Sequence, residues 1–199
     1  DRYKAAHQDF LQGVQQLILG ISEFDDGVRG SHLEPKRCVM RIYRDVRFSK
    51  DKSPYKSNLF TFINRAGRKS PFAGYYLNLS PGESFMGGGV YMPEKEALAA
   101  FRQAIDVHYE DWKEIAEDKK LLEVFPEGVK PSGKLKRPPK GYEKENPAIE
   151  YLKHKGFYTQ RMLSDEEVLS ADLLPRLLQD YRRVHPLVSF LNEALEEAE

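Results

Sequence analysis

Arg41, Arg44, Arg47, Lys50, Lys52 and Lys56 follow one another at short intervals through RIYRDVRFSKDKSPYKSN, so one segment holds six of the chain's 31 lysines and arginines. Asp45 and Asp51 offset part of that charge and leave roughly +4 in the segment. Like charges held this close repel, so the fold must either supply carboxylates from elsewhere or offer the patch to an anion. Guanidinium groups present a planar fork of donors that fits phosphate or carboxylate two bonds at a time, and lysines on a following loop make a mobile rim. Arg41, Arg44 and Arg47 are therefore candidates for an anion pocket, with Lys50, Lys52 and Lys56 around it and Tyr43 and Tyr55 as aromatic walls. If chemistry occurs there, Asp45 and Asp51 are the local candidates for a general base. The competing use of the same residues is structural, with the arginines acting as internal braces in an ion-pair network.

Other chemistry-bearing residues give weaker signals. Gly87, Gly88 and Gly89 resemble a phosphate loop only superficially, because no Lys-Ser or Lys-Thr pair follows. A strand that bends, or packs tightly on a helix, explains them more simply. The five histidines, at 7, 32, 108, 154 and 185, show no ligand spacing, so no metal site is expected. Cys38 is the single cysteine, which excludes an internal disulfide and reads as an inert buried thiol. Ser49, Ser53 and Ser57 have no identifiable base nearby. A second basic stretch, Lys134, Lys136, Arg137 and Lys140, is interleaved with prolines and Tyr142 and reads as a solvated loop. Were it to join the first segment, the combined tyrosines would suit single-stranded nucleic acid or a nucleotide.

Elements must position these residues. Phe10, Leu11, Val14, Leu17, Ile18 and Ile21 recur at helical steps, which predicts an amphipathic helix over 3–22. Residues 37–48 alternate, with Cys38, Met40, Ile42, Val46 and Phe48 in one row, which predicts a half-buried strand. In that strand Arg44 falls in the apolar row and needs a partner or a bulge. Residues 59–64, 73–79 and the SFMGGGVYM stretch read as three further strands, and short connections favour an antiparallel meander. From Pro93 a single long helix is expected, with Leu98, Phe101, Ile105, His108, Trp112 and Ile115 on one stripe. A short helix follows over 119–125, then an irregular Pro, Gly and Lys-rich loop. Ser164 with Glu167 resembles a capping box before a helical face built on Leu173, Leu174, Leu177, Leu178 and Tyr181. Pro186 is expected to break or kink that last helix.

The segment RDVRFSKDKSPYKSN, together with AGYYLNLSPGESFMGGGVYMP and KRPPKGYEKENPAIEYLKHKGF, resembles domain-of-unknown-function family 2461, a widespread family of conserved hypothetical proteins of bacteria and some eukaryotes. The resemblance covers nearly the whole chain. It implies an intracellular α+β protein with no assigned activity and supplies no catalytic residues. Family members usually carry a preceding segment with a Trp-Phe pair. This chain opens without Met on residues that already read as helical, so some native N-terminal sequence is expected before it.

At 199 residues with equal numbers of acidic and basic side chains, the chain reads as one domain and lacks the broad positive footprint that duplex nucleic acid requires. No apolar run is long enough to span a bilayer and no secretory signal is present, so a cytoplasmic location is expected. The sequence supports an α+β domain over 1–199, with a four-stranded or larger antiparallel sheet between N-terminal and C-terminal helices. Its expected function is binding of a phosphate-bearing or other anionic small molecule by Arg41–Lys56. The first alternative is a non-enzymatic interaction or scaffold protein, and nucleic acid is the least favoured partner. Cofactor, oligomeric state and any reaction stay open.

Overall fold

The structure is a computed structural model that describes residues 2–44, 47–48, 50 and 52–198. Its elements run α1 (Arg2–Ile21), α2 (Asp26–Gly30), α3 (Pro35–Cys38), β1 (Leu59–Ile63), β2 (Gly74–Leu79), β3 (Ser84–Val90), α4 (Lys95–Val107) and α5 (Tyr109–Ala116). They continue through α6 (Lys119–Val124), α7 (Ile149–Leu152), β4 (Phe157–Leu163), α8 (Asp165–Leu169) and α9 (Leu173–Glu196). The four strands form one antiparallel sheet in the order β1-β2-β3-β4, and the chain is α+β, with α1 before the sheet strands and α9 after them. No helix among the described residues is long and apolar enough to cross a membrane.

Among the described residues of 37–48 the expected strand does not form. Pro35 instead opens the short helix α3, where its missing N–H costs nothing and its fixed φ favours the first turn. Beyond it, residues 39–44 make only isolated pairings, Val39 with Thr61 and Tyr43 with Tyr55. The fourth strand is β4, late in the chain, which sequence periodicity did not indicate. The single helix expected from Pro93 is two helices, because His108 leaves helical geometry at φ −112, ψ 45 and stands exposed between α4 and α5. Pro186 does not end α9. It removes one intrahelical bond at about 3 kcal/mol, while Val184, Leu187, Val188 and Leu191 are all buried around it. Each such apolar side chain contributes roughly 1.5–3 kcal/mol, so burial outweighs the local defect.

The chain divides into two compact units, and residues of β2, β3 and β4 are shared between them. The first comprises Asp1–Ser70, Tyr76–Met86 and Met162–Gln179. Here α1 packs on α2, α3 and β1, and its buried face is Phe10, Val14, Leu17, Ile18 and Ile21, the helical stripe the sequence indicates. Gly20 lets α1 approach the start of α9, since a Cβ there would lie 2.4 Å from a methyl of Leu178. The capping box before α8 is present, with Glu167 N donating to Ser164 Oγ at 3.1 Å and Ser164 N donating to Glu167 Oε2 at 2.9 Å.

The second unit comprises Pro71–Tyr75, Gly87–Arg161 and Asp180–Glu199. Its centre is Trp112, fully buried and in edge contact with Tyr151 and Phe157. Arg102 on α4 donates to the carbonyls of Leu152 and His154 at 2.7 and 2.9 Å, which satisfies the end of α7. The glycine run serves packing. A Cβ on Gly88 would meet a methyl of Val184 at 2.4 Å, and one on Gly89 would meet the Phe157 carbonyl oxygen at 2.2 Å.

Candidate functional site

The basic segment is an arm in the first unit, paired with itself. Arg44 N donates to the Pro54 carbonyl at 3.0 Å and Lys56 N to the Ile42 carbonyl at 2.9 Å, around the Tyr43–Tyr55 pair. Pro54 has no N–H to return, so the ladder stays local. At its base the arm joins the edge of the sheet, where Met40 N donates to the Phe60 carbonyl at 2.9 Å beside the Val39–Thr61 pair.

The two pairs do not keep the same register. From Val39 to Tyr43 the outgoing side advances four residues, whereas from Tyr55 to Thr61 the returning side advances six. Two extra residues must bulge on the return, and bulges re-aim side chains. Within that stretch Lys56, Ser57 and Asn58 line a cavity of about 460 Å³. Its other walls are Ala6 of α1, Leu59 of β1, Leu79, Ser80, Pro81 and Ser84 around the β2–β3 turn, and Asp165, Val168 and Leu169 of α8. The size falls in the range typical of small-molecule sites, roughly 300–1,000 Å³.

Polar groups at this cavity are held in place. Asn58 Nδ2 donates to Asn78 Oδ1 at 2.5 Å, and Asn78 Nδ2 donates to the Glu83 carbonyl at 3.1 Å. Ser84 Oγ donates to the Ser80 carbonyl at 2.9 Å and accepts from Ser80 N at 3.0 Å, which closes the turn. Asp165 Oδ1 accepts from Gly82 N at 2.8 Å. An ammonium carries three donors and an amide two donors and an acceptor, so Lys56 and Asn58 can engage a guest in addition to protein partners.

The rest of the basic set is spread along the arm. Arg44 is half-buried and donates from Nη1 to Ser53 Oγ at 2.9 Å, so it does not lie in an apolar strand face. Arg41, Arg47, Lys50 and Lys52 are exposed, and the Arg47 guanidinium sits 5.9 Å from the ring centre of Phe48, itself almost wholly exposed. The Tyr43 and Tyr55 rings meet in a tilted contact, 5.4 Å between centres and 30° between planes. Asp45 and Asp51, the candidate bases, lie outside the described residues, as do Val46 and Ser49. Among the described residues, Lys56 is the one base of the arm that lines the cavity. Asn78, Ser80 and Ser84 were not singled out from sequence, because only the sheet brings them to the arm.

The remaining candidates take no part in this cavity. Cys38 is fully buried, and burial pushes its thiol up to about 12, so it is not a nucleophile at neutral pH. The second basic stretch belongs to the other unit. There Lys134 pairs with Glu150 at 2.8 Å, and Lys134 with Lys153 holds the Glu150 carboxyl down at about 2. His108 Nδ1 lies 4.0 Å from Asp111 Oδ2. Among the described residues no group of three or more His, Cys, Asp or Glu side chains is arranged to hold a metal ion.

Over residues 1–190 the sequence matches the family described as conserved hypothetical protein (DUF2461). The chain belongs to that family. No curated protein and no solved structure matches it.

Proposed function

We propose that the first unit binds a phosphate-bearing or other anionic small molecule in the cavity where the arm returns to the sheet. The observation that carries this reading is the two-residue excess between Tyr55 and Thr61, which places Lys56, Ser57 and Asn58 on one wall of the cavity. Lys56 supplies charge and Asn58 and Ser57 supply directed hydrogen bonds. Arg41, Arg44, Arg47, Lys50 and Lys52 on the same arm raise the local positive potential and draw anions in. A cytoplasmic setting, with its many phosphorylated metabolites, suits both this chemistry and a single buried thiol.

The bond from Arg44 to Ser53 favours a second reading, in which the arm is a self-braced interaction element and its charges meet an acidic partner protein. The two are separated by thermal melting of the wild type and of Lys56→Gln with and without inorganic phosphate. Saturation at 100 times the dissociation constant stabilises the native state by about 2.7 kcal/mol. The expected result is a rise for the wild type that is lost in Lys56→Gln, each compared with its own melting temperature in plain buffer. No rise with phosphate or nucleotides for the wild type, or an undiminished rise for Lys56→Gln, discards the anion site.

A further inference from the structure

We infer that the second unit carries a binding groove for a small organic polycation, an alkyl diamine or polyamine. Where α4 gives way to α5 at His108, a cavity of about 400 Å³ opens against the last turns of α9, and a side lobe of about 140 Å³ continues from it past Val107. Ala104, His108, Ala194 and Glu197 line both. The larger lobe falls in the range of small-molecule sites, roughly 300–1,000 Å³.

Charge complementarity selects the occupant. The ionisable side chains on these walls are Asp111 of α5, Glu193 and Glu197 at the end of α9, and His108; among the described residues no lysine or arginine lines the space. All three carboxylates are exposed. His108 Nδ1 lies 4.0 Å from Asp111 Oδ2, and Ser189 Oγ donates to Glu193 Oε1 at 2.8 Å. An ionised carboxylate offers about four acceptor positions, so these contacts leave room for an ammonium group. The carbonyls of the last turn of α9 add partial negative charge at the same end.

The floor decides what kind of cation fits. Ala104, Ile115 and Ala194 are aliphatic, and the ring of Phe190 is half-buried among them. A bare metal ion would make no use of this surface, and among the described residues no three acidic or histidine side chains are arranged to hold one. An alkyl chain covers the aliphatic floor, its ammonium ends reach the carboxylates, and Phe190 supplies a π face for one of them. Glu197 N donates to the Glu193 carbonyl at 3.0 Å, so the two side chains leave α9 one turn apart, roughly 5–6 Å between Cβ atoms and close to the span of a four-carbon diamine.

The test is titration with spermidine, 1,4-diaminobutane, butylamine and magnesium chloride at low ionic strength, followed by calorimetry and by the fluorescence of Trp112. That residue is the chain's single tryptophan, and its ring lies 5.3 Å from Phe190, so it reports on the floor. The expected result is saturable binding of one spermidine per chain, tighter than 1,4-diaminobutane and far tighter than butylamine, with fluorescence and heat giving one affinity. Glu193→Gln with Glu197→Gln should weaken spermidine about tenfold. Glu145→Gln, which removes a charge from an exposed site outside the groove, should leave it unchanged. Phe190→Leu should weaken it about threefold with every carboxylate in place.

No saturable binding of either amine overturns the proposal. Equal weakening by Glu145→Gln overturns it as well, because the protein's general field would then be doing the binding. Magnesium that displaces spermidine at equal concentration shows that charge alone is read and the floor is not. Binding of a lysine-rich peptide without binding of spermidine would assign the groove to a basic partner protein instead.

Discussion

Asn58 and Asn78 meet amide to amide, 2.5 Å from Nδ2 to Oδ1, and the second amide passes the link on to the Glu83 carbonyl at 3.1 Å. The pair therefore ties the return of the basic arm to the β2–β3 turn, beside the cavity that Asn58 lines. Asn78 is buried, so truncating it strands a donor on Asn58 and an acceptor on Glu83. Asn78→Ala is expected to lose about 1–3 kcal/mol, read as a lower urea midpoint at unchanged slope, and to reduce the stabilisation given by phosphate. An unchanged midpoint would mean that the amide pair does not hold the arm.

Two glycines should respond to the same substitution with opposite signs. Gly89 has φ +113, and a Cβ there would lie 2.2 Å from the Phe157 carbonyl oxygen, a contact that only backbone movement relieves. Gly89→Ala should cost at least about 3 kcal/mol or prevent folding. Gly13 is helical with open space around it, so Gly13→Ala should gain about 0.5–1 kcal/mol in urea unfolding.

Arg161 of β4 donates from Nε at 3.0 Å and from Nη2 at 2.7 Å to the same oxygen, Oδ2 of Asp180 on α9. Both side chains are largely out of water, at 21% and 14% exposure, so the pair is screened far less than a surface bridge. Asp180→Ala alone leaves a guanidinium short of its counter-charge and should cost about 2–3 kcal/mol. Arg161→Met with Asp180→Leu should recover most of that loss. A double-mutant cycle with no coupling energy would refute the pair's role.

What the sequence showed and hid follows from where the partners come from. The stripe of α1 and the Ser164–Glu167 box are local patterns, readable without knowing the fold. By contrast β4 buries Phe157, Thr159 and Leu163 with Arg161 on the same face, and those two polar residues break the apolar alternation. Their partners are Gly88, whose carbonyl lies 3.5 Å from Thr159 Oγ1, and Asp180, both remote or invisible to periodicity. The reverse error occurred at 37–48, where alternation was genuine but Phe48 is 96% exposed and Pro35 and Pro54 limit pairing. The basic cluster was legible as composition. The bulge that sends only its last member, among those described, into the cavity depends on pairing register, which no single segment encodes.

His154 supplies a pH dependence that can be signed in advance. Its ring is 6% exposed, packed against Tyr151 and Phe157, and its Nδ1 has no hydrogen-bond partner among the described residues. Burial, reinforced by nearby Lys134 and opposed by Glu150, lowers its pKa from 6.5 to about 4. The native state thus keeps the imidazole neutral where the unfolded chain would protonate it. Above about pH 6.5 neither state is charged and the group contributes no slope. As pH falls from there toward 4 the unfolded state gains a proton first, so stability declines, by at most about 3 kcal/mol, and then levels off. Urea unfolding between pH 7.5 and 4.5 should show this decline, and His154→Gln should flatten it while lowering or raising the neutral-pH baseline uniformly. An identical slope in the variant would assign the acid sensitivity to other groups and show that His154 is hydrated or charged in the native protein.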